Sequence, residues 1–435
     1  MDLVISGGED TLLDSLSFDL PPSSSYIQSK RYVSYYPSGA STYSPTGVRV
    51  MRFHVVGDGW LDPDSLRITG KLANLSATTV LQLQDGPHSM IQRAKLSIGG
   101  QVCEDLDSYN RSHQLFRRVL MNPSWTCNDA VESGMQRYQE GVQDTNSPSI
   151  SEEQLAPGKY SSFNQSLIFG LCNAGKLLPL RLSGGLTIEL TLSDAEAAVI
   201  AGSSTNYELQ EMSIRCSVVK LDSALESSFA SMLMQNKSLS LRYNTHSCQA
   251  MVLQPNSTEL SVSLVRAYSR LNALFITFQG GGATAPAANT YQTTSFLNPS
   301  QFIVGGVVGG QATHDEATLQ WDVQLGASKW PESPCTSIPE TFSLLRQCTH
   351  IYDESLRTLS ISPQSFKNNT FVIGVGLQTS NSAFSGYNTR SGDLLSVRCK
   401  NIATDAAVNA PAKVYVTMVH EAICEIREGS VAVLD

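Results

Sequence analysis

Few residues in this chain are spaced for chemistry. Ser217-Val-Val-Lys220 has the Ser-x-x-Lys spacing that can set a lysine base beside a serine nucleophile. The stretch reads as a β-strand, however, where an offset of three sends the two side chains to opposite faces. Glu104, Asp105 and Asp107 form an acidic cluster, but no second cluster follows at Ca²⁺-loop spacing. Solvated carboxylates, or acids favoured by a helix N-terminus, account for them. His246 with Cys248, and Cys348 with His350, each offer half of a zinc set. Nothing in the sequence joins the two halves, so ordinary burial is the expectation. His420 falls in the last long strand and reads as a core or interface residue rather than a base. Trp60, Trp125, Trp321 and Trp330 are too dispersed to suggest a stacking platform. No G-x-S-x-G elbow, Walker loop, H-E-x-x-H or G-x-G-x-x-G is present. The sequence therefore predicts no enzyme activity, no catalytic residue, no metal ligand and no cofactor.

The remaining composition points to structure rather than catalysis. The chain has 435 residues, enough for about two to four domains. Charged residues are only 16%, against a typical ~25%, which suits a protein that buries surface against its own copies. Net charge is −9 and no Lys/Arg run exceeds a pair, so direct sequence-specific nucleic-acid binding is not expected. Residues 1–10 lack the basic start and apolar length of a signal peptide, and no stretch approaches the ~20 apolar residues of a membrane span. The nine cysteines include no C-x-x-C pair, which predicts free buried thiols in a reducing compartment. The six Asn-x-Ser/Thr sequons are then chance occurrences.

What would position these side chains is a series of short strands. Residues 48–75 read as two strands around the turn formers Asp58-Gly59 and Asp62-Pro63, and 259–278 repeat that opening. Leu186, Ile188, Leu190 and Leu192 alternate with polar residues, as do Met212, Ile214, Cys216 and Val218. Leu319, Trp321, Val323 and Leu325 do the same in the second half. Period-two alternation buries one face of each strand and predicts antiparallel sheets. Helical spacing occurs within 104–121 and 338–352. A third helix is expected at 223–235, opened by a Ser223-x-x-Glu226 capping box. Asn128 to Ser162 and Gly280 to Thr290 read as surface loops. The expected organisation is an N-terminal arm at 1–46, a first β block at 47–222, a connecting helix and linker at 223–244, and a second block at 245–435. Each block predicts a sandwich, barrel or jelly roll.

The Trp60-Leu61-Asp62-Pro63 turn, the strand end Leu96-Ser-Ile-Gly-Gly100 and the following Glu104-Asp-Leu-Asp-Ser-Tyr109 carry a resemblance. In the second block, Phe384-Ser-Gly-Tyr387 precedes Gly392-Asp-Leu-Leu395 and a final long strand. From about residue 47 to 435 the chain resembles double jelly-roll major capsid proteins of tailless icosahedral double-stranded DNA viruses. Within that group it is most similar to the virophage, polinton-like virus and adintovirus type. The resemblance implies an all-β fold of two tandem antiparallel jelly rolls with short helical insertions. It also implies pseudo-hexameric homotrimers tiling the facets of a virion shell, made and assembled inside the host cell. The implied partners are neighbouring capsomers, penton and minor capsid proteins, and an internal membrane or minor proteins beneath the shell. Two other classes remain open on the residues alone: a carbohydrate-binding or adhesin-like β-sandwich, and a β-sandwich hydrolase with scattered site residues.

Overall fold

The computed structural model describes residues 26–84, 86–120, 154–200, 202–254, 257–280, 296–300, 307–308, 311–312, 319–351, 359, 361, 363–368, 370–378, 386–390, 394–404, 410–427 and 430–434. Trp125, residues 128–153 and 281–290, Phe384 and Gly392-Asp393 lie outside them.

In the first half the strands are β1 (Ile27–Tyr35), β2 (Thr42–Tyr43), β3 (Val50–Val55), β4 (Trp60–Asn74), β5 (Ile91–Ile98), β6 (Gln101–Asp107), β7 (Tyr160–Ser166), β8 (Leu178–Pro179), β9 (Leu186–Leu192) and β10 (Tyr207–Leu221). They form two antiparallel sheets, β1-β10-β4-β7 and β3-β9-β5-β6, with β2 and β8 added to the first. Helix α1 (Tyr109–Leu120) follows β6, and α2 (Ser223–Met234) leaves β10.

The second half runs β11 (Leu239–Val252), β12 (Glu259–Ser263), β13 (Leu271–Gly280), β14 (Val307–Val308), β15 (Gln311–Ala312), β16 (Gln320–Leu325), β17 (Ser328–Cys335), α3 (Ile338–Cys348), β18 (Ile373–Gly376), β19 (Leu395–Lys400), β20 (Pro411–Arg427) and β21 (Ser430–Leu434). Its large sheets are β11-β20-β13-β18 and β12-β19-β16-β17. Placed beside the first half, the four-strand order of each large sheet corresponds: β11 takes the place of β1, β12 of β3, β13 of β4, β16 and β17 of β5 and β6, and α3 that of α1. The same architecture is built twice, as two jelly rolls.

The alternation read from sequence is what fills each sandwich. Leu186, Ile188, Leu190 and Leu192 are at most 2% exposed while the residues between them are half-buried. The two strands of 48–75 exist, but they do not pair with one another. Chain reversal at Asp58-Gly59 carries β3 to β9 in one sheet and β4 to β10 in the other. A Cβ on Gly59 would meet the Val219 carbonyl oxygen at 2.9 Å, so the reversal lies tight against β10. Trp60 then packs on Phe229 of α2, ring centroids 4.9 Å apart.

Four expectations are corrected. The arm at 1–46 includes strand β1, which pairs with β10 from Ser29↔Lys220 to Tyr35↔Ile214. As an edge strand, mostly exposed on both faces, it carries no apolar alternation to betray it. The linker expected to run to 244 ends earlier, because β11 begins at Leu239 opposite Ile426. The cap of α2 is Asp222, whose carboxylate accepts from the Ala224 N–H, and Ser223 is already helical. Finally, Glu104 to Asp107 belong to β6 and the helix starts at Tyr109.

β13 is buried along its whole length, so both of its faces are covered. One face meets the second sandwich core. On the other lie α1, reaching across from the first roll, and α3 of its own roll. Leu115 and Val119 of α1 join the second core, and Phe116 meets Phe275 edge-on at 6.2 Å. Neighbouring β18 carries Gly374, where a Cβ would meet Leu345 of α3 at 2.7 Å, so α3 lies directly on that strand.

Candidate functional site: the seam between the two rolls

The acidic cluster resolves into two kinds of carboxylate. Asp105 and Asp107 lie on the outer face of β6 and both pair with Arg93. Glu104, one residue away, points inward and is 3% exposed. Its carboxylate accepts from the Gly170 and Leu171 N–H groups at 2.9 and 2.8 Å, and from the Thr245 hydroxyl at 2.6 Å. The first two donors open the 3₁₀ turn Gly170–Asn173 of the first roll. The third sits on β11 of the second. The helix-terminus role expected of an acid is thus met, but at a turn distant in sequence. Gly170 itself admits no side chain, because a Cβ there would stand 1.9 Å from the Asn244 carbonyl oxygen.

Arg111 is the second anchor. Its guanidinium, 2% exposed, leaves α1 and donates to the Thr277 hydroxyl at 3.0 Å and the Phe278 carbonyl at 2.9 Å on β13. It lies 4.3 Å from the ring centroid of Tyr415 and 4.8 Å from that of Phe296. Burial pulls it down to about 10, which still leaves it charged at neutral pH. A third contact comes from β11 and the C-terminal β20-β21 hairpin. Leu241, Tyr243, Ala422, Cys424 and Ile426 of the second roll belong to the first roll's core cluster, with Val431 and Val433 packed against it. The described tail residues 430–434 form β21, which pairs with β20 of the same chain.

Next to this seam is a cleft of about 610 Å³, walled by α1, the 170–173 turn, β11, β13 and the end of α3. His246, Cys348 and His350 all line it, so the fold brings three members of the two separated His/Cys pairs to one place. Cys248 is instead beside Thr417, its thiol pushed up to about 11 by burial. Among the described residues, no three His, Cys, Asp or Glu side chains converge to hold a metal ion. His246 packs against Phe116 at 4.8 Å and is lowered to about 3 by burial. His420 stacks on Tyr268 at 4.1 Å. Ser217 is buried and Lys220 exposed on β10, so no serine–lysine pair forms. Trp321 donates to the Thr341 hydroxyl at 3.0 Å and lies 6.1 Å from Trp330, a contact sequence spacing did not suggest.

The buried histidines give the first roll and the seam a pH dependence. His88 and His113 stack at 4.4 Å in the interior, and burial lowers both well below the ordinary value. The Arg117 charge pushes both in the same direction. His88, His113 and His246 therefore stay neutral when folded, while the unfolded chain takes up protons below its histidine pKa of ~6.5. Stability is complete above that pH and falls as pH drops, approaching about 1.4 kcal/mol per pH unit for each histidine. Urea unfolding at pH 7.5 and 5.5 is expected to show a clear drop in midpoint, reduced in His246→Gln. A midpoint unchanged across this interval would refute the assignment.

No protein-family model matches the sequence, and no curated protein sequence matches it. The fold itself matches solved structures along nearly its full length. A PBCV-1 VP54 structure fitted into a reconstruction of the virophage Sputnik aligns with a TM-score of 0.60 at 13% identity, covering 96% of this chain and 99% of that one. The Faustovirus major capsid protein gives 0.60 at 7% identity, over 96% and 93%. The Sputnik virophage structure gives 0.56 at 12% identity, over 98% and 93%. The chain has the double jelly-roll fold of viral major capsid proteins.

Proposed function

We propose that this protein is a major capsid protein, a non-catalytic subunit that forms homotrimers tiling the facets of an icosahedral virion. The observation that carries this is the duplicated roll held by a buried seam. Three copies of two similar, rigidly joined rolls present six similar lobes, a pseudo-hexagonal outline that packs a flat lattice. We assign the first roll to residues 26–222 and the second to 239–434, with α2 between them. The full-length likeness to capsid proteins supports the same reading. Tyr26, Tyr32 and Tyr36, on and beside edge strand β1, are 64%, 59% and 71% exposed. Such an exposed aromatic row suits contact with another copy. Neighbouring capsomers, penton proteins and minor proteins are the partners this role requires.

Obligate interfaces commonly bury more than ~2,000 Å², so trimers should survive dilution. Light scattering of the purified protein is expected to give three times the chain mass, and negative-stain images a hexagonal outline. Removing residues 1–25, which leaves β1 whole, is expected to spare trimers and weaken contact between them. A protein that stays monomeric at high concentration would sink the proposal.

A further inference from the structure

Two cysteines from different rolls belong to one core cluster at the seam. Cys103 lies on β6 and is 7% exposed; Cys424 lies on β20 and is fully buried. The register sets Cys424 opposite Leu241 and Ala422 opposite Tyr243. Side chains two apart on a strand share a face, so Cys424 and Tyr243 face the same way, and the Tyr243 hydroxyl reaches the Cys103 carbonyl at 3.3 Å. On the other side of β20, Cys424 pairs with Val433 of β21. Val431, two residues before it, lies 3.4 Å from where a Cβ on Gly99 would stand, just before β6. Both sulfurs sit in one core cluster with these residues, and both cysteines are unbridged.

The geometry points to Cys103 and Cys424 as an oxidative staple: a thiol pair that peroxide converts to a disulfide joining the two rolls covalently. The Cys103 thiol favours ionisation of Cys424, while Cys424, with burial, opposes that of Cys103. The Cys424 thiolate attacks one peroxide oxygen, breaking the O–O bond and leaving a sulfenic acid and hydroxide, which takes up a proton as water. The Cys103 sulfur then attacks Cys424. An S–S bond forms, the sulfenic oxygen leaves as hydroxide, and the Cys103 proton makes it a second water. Two thiols and one hydrogen peroxide yield one disulfide and two waters. Because the bridge closes a very long loop, it restricts the unfolded chain and raises stability.

The purified full-length chain would be treated with hydrogen peroxide and digested without reductant for mass spectrometry. A linked peptide pair containing Cys103 and Cys424 is expected, with the thermal midpoint raised by roughly 5 °C and restored by dithiothreitol. Cys103→Ser and Cys103→Ala provide two controls, and whichever folds in reducing buffer should show neither the linked pair nor the rise. The same peptide in unoxidised protein should be unlinked. Sulfinic acid at either position without the linked pair, or a linked pair that lowers the midpoint, would overturn the staple. Neither readout depends on assembly, so failure here leaves the capsid proposal standing.

Discussion

Replacing Glu104 by Ala is expected to cost at least about 3 kcal/mol of stability and to loosen the two rolls from each other. The substitution removes one acceptor and strands three buried donors: two backbone N–H groups of the 170–173 turn and the Thr245 hydroxyl. Each stranded donor costs about 1–3 kcal/mol, and water cannot easily replace a carboxylate that is 3% exposed. Glu104→Gln keeps the shape and one good acceptor but loses the charge, so its cost should be smaller. Urea unfolding followed by circular dichroism and tryptophan fluorescence would test this. The tryptophans described in the second roll, Trp321 and Trp330, should report a transition separate from the whole-chain signal in Glu104→Ala. A loss under about 1 kcal/mol with coincident transitions would show that Glu104 does not hold the seam.

Arg111→Met should be comparably damaging, at about 3 kcal/mol. Methionine replaces part of the lost volume but leaves the Phe278 carbonyl without the Arg111 donor on a strand buried on both faces. It also removes a cation from the Tyr415 and Phe296 rings. Arg111→Lys is the sharper comparison. Lysine keeps a positive charge, but its compact ammonium lacks the planar fork that donates to Thr277 and Phe278 while lying against two rings. It is expected to recover less than half of the loss. Full recovery by lysine in the same urea measurement would mean that charge alone matters here, and the stacked geometry would be discarded.

Both anchors act through the seam, on which the proposed lattice subunit would depend. If three chains are to present six lobes at fixed angles, the two lobes of one chain cannot swing. The seam uses a carboxylate, a guanidinium and a glycine, each of which fails in a different way when changed. At the two anchors the polar groups converge on one another: Glu104 on the 170–173 turn and Thr245, Arg111 on Thr277 and Phe278.

The buried faces of the alternating strands were legible from the residues alone. Leu186 to Leu192 needed only their period of two, because side-chain direction in a strand is a local property; on β10 the intervening Ser213 and Ser217 are buried as well. The sequence likewise located α2 and α3 to within a few residues, while the first turns assigned to α1 proved to be strand β6. The resemblance in the Trp60 and Leu96 stretches pointed correctly to the double jelly roll. Which strands are neighbours emerges in the folded chain. Alternation marks a face, not a partner, so the two strands of 48–75 read alike whether they pair or part to opposite sheets. Edge strand β1 was illegible because backbone hydrogen bonds to β10 hold it, and those leave no mark on composition. Glu104 sat in an ordinary-looking acidic run, since its partners lie 66, 67 and 141 residues away. The same holds for Arg111, whose partners on β13 lie 166 and 167 residues on, and for Cys103 beside Cys424. Contacts at such separations arise from the packing of one completed roll against another, which no local window of sequence encodes.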